Sequence, residues 1–151
     1  MEMRIMSALG EKLKVVLADT FALYLKAHNY HWNIEGPDFY EYHGFFEKIY
    51  TEVHDAVDDI AEHIRALGEY SPGGLGRFKA LTSIEDELTI VSALESVNRL
   101  KADNETVLSS IMEAYKEADK TDEIGLSNFL QDRYDAHKKL AWMLKASSVK
   151  S

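Results

Sequence analysis

Residues 29–43 read NYHWNIEGPDFYEYH, and the adjacent glycine and proline at 36 and 37 decide how the chain is organised. Proline lacks the amide that a helix interior needs, and glycine favours a turn. A helix arriving through His31 therefore stops here and the chain reverses. Asp38 is placed to open the next helix as its N-cap. The break leaves His31 on one helix and His43 on the following one, with aromatic residues around both.

Upstream, residues 4–33 carry Ile5, Leu9, Leu13, Val16, Leu17, Phe21, Tyr24 and Leu25 at the three-and-four spacing of an amphipathic helix. Downstream, Tyr42, Phe46, Ile49, Val53, Ala56, Ile60 and Ile64 predict a second helix to about Gly68. The segment from Ser71 to Ile90 is too glycine-rich to continue it, but Leu75, Phe78 and Leu81 allow a short helix within a long connection. Ser92-Ala-Leu-Glu95 has the form of a capping box, which opens a third helix to about Ala118. Ile124, Phe129, Tyr134, His137, Leu140, Ala141 and Leu144 mark a fourth. The reading is an all-α single domain over residues 1–151, a four-helix bundle with a short extra helix in the crossover between helices 2 and 3.

Composition narrows the chemistry. The 151 residues contain no cysteine, which removes disulfides, thiolate zinc sites and cysteine nucleophiles. The N-terminal residues lack a basic-then-apolar signal, and no segment has the length of a membrane span; a soluble, cytoplasmic protein is expected. Net charge is -9, and residues 38–69 hold nine carboxylates against Lys48 and Arg65. Such a surface attracts cations and repels phosphate backbones.

The second helix carries His43, Glu47, Asp58 and Glu62, in pairs four residues apart that each share one helix face. Spacing alone also suits a solvated acidic face. At 100° per residue, however, the four cluster roughly 150° away from the apolar stripe. Their margin carries Tyr50, Val57 and Ala61, more apolar than free solvation requires. Residues 43 and 58 lie about 22 Å apart along a straight helix, too far to share a metal within one chain. Yet the four positions are symmetric about a point between residues 52 and 53. An antiparallel copy of the helix sets His43 near Glu62 of the partner subunit, and Glu47 near Asp58 of the partner subunit. With His31 returned beside His43 by the turn, each of two equivalent sites holds His31, His43 and Glu47 from one chain and Asp58 and Glu62 from the other. Imidazoles and carboxylates without sulfur suit iron, manganese or zinc, and a bridging carboxylate holds two metals about 3.5–4 Å apart. A site inside one bundle would use Glu-x-x-His motifs, and no histidine here has a glutamate three residues before it.

HWNIEGPDFYEYHGFFEKIY, DDIAEHI, SPGGLGRFKALTSI and HKKLAWMLKA together resemble the Dps family of mini-ferritins, over nearly the whole chain. The resemblance implies a ferritin-like fold and a hollow dodecamer. It further implies oxidation of Fe(II) at dinuclear sites between two-fold related subunits, with hydrogen peroxide as the usual oxidant and oxygen as the alternative, storage of ferric mineral, and a part in oxidative stress. It implies His31, His43, Glu47, Asp58 and Glu62 as ligands, with Trp32 close by. Three positions differ from the family pattern. Glu47 replaces the usual Asp, His63 replaces an Arg after the last ligand, and Asn128 replaces an acidic residue at the opening of the last helix. Asp119, Asp122, Glu123 and Asp132 remain for an acidic iron path, although a polar turn at a helix N-terminus explains them as well.

The other histidines and the tryptophans have plainer readings. His28, one turn before His31, either supports the ligands from behind or, more plainly, is a partly buried aromatic; His54 is a residue near the two-fold axis, and His137 a satisfied structural histidine; Trp32 and Trp142 are core or interface aromatics. Basic residues at the termini amount to Arg4, Lys145 and Lys150, so DNA binding is expected to be weak or absent. The competing expectations are a non-catalytic nucleoid or DNA-protecting scaffold that keeps the shell, a metal-binding shell with weak ferroxidase activity, and a helical metal sensor or zinc-binding module.

Overall fold

A computed structural model describes residues 7–149; the contributions expected of Arg4, Ile5 and Lys150 lie outside the described residues. The elements are α1 (Ala8–Asn33), α2 (Phe39–Ala66), α3 (Leu75–Leu81), α4 (Ala93–Lys120) and α5 (Ile124–Ser148). No helix among the described residues is long and apolar enough to cross a membrane.

Ser7 caps α1, its hydroxyl accepting from the Gly10 amide at 2.9 Å. α1 ends where Ile34 turns extended, and Gly36, at φ +125°, supplies a backbone angle that only glycine adopts without strain. Asp38 is the N-cap of α2 as expected, but its side chain makes no capping hydrogen bond. Ser92 does cap α4, accepting from the Glu95 amide at 3.1 Å. Glu95 turns instead toward Arg99, 3.7 Å away, so half of the expected capping box forms.

α1 and α2 form one antiparallel hairpin and α4 and α5 a second, joined mainly along α1 and α4, while α2 and α5 touch sparingly. The core runs through Leu13, Leu17, Leu23, Phe46, Ile60, Ile64, Leu100, Ile111, Leu130 and Leu144, each buried to within 2% exposure. Two periodicities shift from the expected ones. Leu25 is exposed, and α1 continues its buried row through Leu23, Ala27 and Tyr30; Ile124 is exposed, and α5 buries Leu126, Leu130, Arg133, His137, Leu140 and Leu144.

The crossover lies along α1, tied down by three acidic side chains. Glu69 accepts from the Ser7 hydroxyl at 2.8 Å and lies 3.2 Å from Lys14. Asp19 on α1 accepts from the Thr82 hydroxyl at 2.6 Å, the Ser83 amide and the Ser110 hydroxyl. Glu87 accepts from the Tyr30 phenol at 2.7 Å and from Arg99. Between these anchors Phe78 of α3 stacks on Phe21 at 4.8 Å. Burial pushes the Glu87 carboxyl up, but the bonds from Tyr30, Arg99 and Thr89 outweigh it and hold the group at about 2.

A second polar network joins the remaining helices. Glu52 of α2 pairs with Arg133, whose Nη2 donates to His137 Nε2 at 2.9 Å. His137 Nδ1 donates to Asn104 Oδ1 at 2.8 Å, and Asn104 Nδ2 donates to the His137 carbonyl at 2.9 Å. Accepting from arginine requires a neutral ring. Burial, then the Arg133 charge, holds His137 down at about 3. The expected structural role for His137 is the observed one.

Candidate metal centre

The turn at Gly36-Pro37 brings the two histidines face to face. The His31 and His43 rings stack with centroids 3.7 Å apart and planes 17° from parallel. His31 Nδ1 donates to the His43 carbonyl at 2.8 Å, and His43 Nδ1 donates to the His31 carbonyl at 2.7 Å. A carbonyl oxygen only accepts, so Nδ1 carries the hydrogen in both rings and Nε2 is left as the lone-pair nitrogen. This is the tautomer a metal-binding histidine needs when its other nitrogen is held by the protein. Phe39 stacks on His43 at 4.7 Å, and the Tyr50 ring meets His31 edge-on at 5.0 Å.

The carboxylates occupy the same outward side of α2. Glu47, Asp58 and Glu62 are exposed, whereas Phe46, Ile49, Val53 and Ile60 are buried. The ligand face therefore points away from the subunit's own core, as its spacing predicts. The negative charge of Asp58, with a hydrogen bond from the same carboxyl, holds the Glu62 carboxyl above the usual carboxylate range. Two acids that crowd each other in this way gain from a shared cation. Burial and then the Glu47 charge raise the Tyr50 phenol. Among the described residues, no three His, Asp or Glu side chains of this single chain converge as a metal cage. His31 and His43 are brought together, and so are Asp58 and Glu62; the two pairs are not.

His28 is half-buried among aromatic rings, as expected. Its ring is sandwiched between Trp32 and Tyr50, each at 3.9 Å, and its Nδ1 shares a 3.0 Å hydrogen bond with the Tyr24 hydroxyl. Burial, then His31 and His54, hold its pKa below the usual histidine value. The i, i+4 spacing from Tyr24 to His28 to Trp32 was the available signal. Trp32 and Trp142 are 59% and 66% exposed, so neither is a core residue of this chain. His54 is exposed, with Tyr24 against its ring at 4.6 Å. His63 packs on Phe129 at 4.5 Å.

At the turn between α4 and α5, Asp119, Asp122 and Glu123 line one cavity of about 330 Å³ with Asn128 and Gln131. Asp132 is exposed on α5 and does not line it. Asp122 has φ 58°, a turn conformation that Asp tolerates better than most residues.

Comparison with known proteins decides the family. The ferritin-like domain matches residues 10–149. Antigen TpF1 of Treponema pallidum is 34% identical over 148 residues, 95% of this chain and 82% of the relative. DNA protection during starvation protein 2 of Bacillus anthracis is 32% identical over 136 residues, 90% and 93% of the two chains. The chain belongs to the ferritin-like family, as a Dps mini-ferritin. The fold of this mini-ferritin superposes on the crystal structure of TpF1 with a TM-score of 0.91 at 28% identity, covering 99% of this chain and 100% of the other. It superposes on a Dps protein from Vibrio cholerae O1, described as a ferritin-like diiron-carboxylate protein, at 0.88 and 28% identity, covering 91% and 87%.

Proposed function

We infer that this mini-ferritin takes up Fe(II) as substrate at two-fold interfaces between subunits, oxidises it with hydrogen peroxide and stores the Fe(III) product as mineral inside a dodecameric shell in the cytoplasm. Each dinuclear site takes His31, His43 and Glu47 from one subunit and Asp58 and Glu62 from its mate, with Trp32 adjacent. Two Fe(II) ions each give up one electron; peroxide takes both with two protons, its O–O bond breaks, and two waters result. The carboxylates offset the charge that grows as iron is oxidised. Protonation of the imidazoles in acid opposes metal binding. Asp119, Asp122 and Glu123 supply an acidic path toward the interior. With a charge of -9, DNA is held weakly or not at all at physiological salt.

The observation that carries this reading is the reciprocal His31–His43 pair. Both rings, one from α1 and one from α2, are locked by main-chain carbonyls in the metal-binding tautomer, and the remaining donors on α2 are exposed and incomplete in one chain. The test adds Fe(II) anaerobically, then peroxide, and follows ferric absorbance in wild type and in a His43→Ala/Asp58→Ala variant. The variant should lose most of the fast phase. Equal rates would leave a shell without a ferroxidase centre, the scaffold reading that the extra methylene of Glu47 keeps open.

A further inference from the structure

Beyond the metal ligands, the outward side of α2 carries a glycine, Gly44. It stands in the second turn of α2 between His43 and Glu47, and a β-carbon built there meets nothing within 4 Å. Apart from proline, glycine is the poorest residue for a helix interior, so within the subunit Gly44 weakens α2 without relieving any contact. Gly76 and Gly125 also meet nothing within 4 Å, but each is the second residue of its helix, where the amide has no intrahelical partner to lose; two further glycines have reasons inside the chain. Gly36 takes a positive φ, and a β-carbon on Gly10 would lie 2.1 Å from the Glu69 carboxylate. Among the described residues, Gly44 is thus a glycine past the first turn of its helix with no contact inside the subunit that its missing side chain relieves.

Gly44 lies in line with Glu62, about five helical turns along the same face. In the antiparallel arrangement centred between residues 52 and 53, position 44 meets Ala61 of the partner subunit. The same symmetry sets His43 against Glu62 of the partner subunit and Glu47 against Asp58 of the partner subunit. Imidazoles opposing carboxylates, repeated by the two-fold, make the covering molecule a second copy of this chain.

The geometry points to Gly44 as a positioning residue: its missing side chain lets two α2 helices approach at Ala61 of the partner subunit and sets the spacing at which the split metal sites close. This rests on the shared-site reading. Helix axes pack about 8–10 Å apart according to the side chains at the contact. A methyl group at both symmetric contacts that pushes them apart by about half an ångström exceeds the ±0.2 Å tolerance of metal–ligand distances.

The test uses the full-length protein with Co(II) as an anaerobic spectroscopic probe, together with thermal unfolding and sedimentation, on wild type, Gly44→Ala, Gly44→Leu, Gly44→Ala/Ala61→Gly and His43→Ala. Gly44→Ala should unfold no earlier than wild type yet bind Co(II) about 10- to 100-fold more weakly, and Gly44→Leu should assemble more weakly still. The Ala61→Gly exchange should return Co(II) affinity to within about threefold of wild type, because the two positions meet only across the interface. Wild-type Co(II) affinity in both Gly44 variants, or failure of the exchange to rescue, overturns the inference while loss of Co(II) by His43→Ala keeps the site. Unchanged Co(II) binding in His43→Ala overturns the shared site and the inference together.

Discussion

Acid should loosen the subunit through His137 before it reaches the carboxylates, and the size of the effect follows from the buried network. In the folded chain His137 accepts from Arg133 and is held at about 3, whereas an unfolded histidine titrates near 6.5. Between those values the unfolded chain binds the extra proton, so stability rises with pH and falls as pH drops below about 6.5. The slope is about 1.4 kcal/mol per pH unit, giving a loss of about 2 kcal/mol at pH 5 relative to pH 7.5. Glu87, held at about 2, is lost only at lower pH, from the ordinary glutamate range downward. His28, also shifted down, contributes with the same sign and is removed by comparing variants. The assay is urea unfolding followed by circular dichroism at fixed protein concentration and several pH values, for wild type and His137→Gln. The variant should be less stable near neutral pH by about 1–3 kcal/mol, since Asn104 and Arg133 lose their partner, but its pH slope should be shallower by the histidine's share. Parallel slopes for the two proteins would refute the assignment of a neutral, buried His137.

The crossover anchors give three more expectations. Gly10→Ala places a β-carbon 2.1 Å from Glu69 Oε2, so it should displace that carboxylate from Ser7 and Lys14 and cost about 1–3 kcal/mol in thermal or urea unfolding. Asp19→Asn weakens the acceptor for Thr82, Ser83 and Ser110; it should cost about 1.5–3 kcal/mol and speed amide exchange at Ser83 ahead of the rest of the domain. Glu87→Gln should flatten the stability loss that wild type shows as pH falls from about 4.5 toward 2, read by the same unfolding series in acid.

The elements were legible because they rest on local rules. Apolar spacing marked each long helix, Gly36-Pro37 marked the reversal between α1 and α2, and Leu75, Phe78 and Leu81 marked the short helix α3. The details that escaped depend on partners distant in sequence. Asp19 looks like an ordinary helical acid until Thr82 and Ser110 reach it, and Leu25 fits the apolar period of α1 although the helix turns that position to solvent. Glu95 fits a capping box, but a nearby Arg99 competes for its carboxylate. In the candidate site, residue types and spacing were enough to pair His31 with His43 and to group Glu47, Asp58 and Glu62 on one face. The reciprocal carbonyl bonds that select the histidine tautomer were not readable, because they depend on how closely two helix ends approach. The place of His28 between Trp32 and Tyr50 was hidden for the same reason: one of its two stacking partners comes from the other helix.

The proposed function divides each metal site between two chains. It is tested most directly by mixing two variants that are each inactive in peroxide-driven Fe(II) oxidation: His31→Ala/His43→Ala, which keeps the acidic half, and Asp58→Ala/Glu62→Ala, which keeps the histidine half. After dissociation and random reassembly, half of the dimers are mixed, and each mixed dimer regains one intact site of two, so activity should return to about a quarter of wild type. Activity that stays at the level of the separate variants, in mixtures shown to have exchanged subunits, would contradict a site shared between chains.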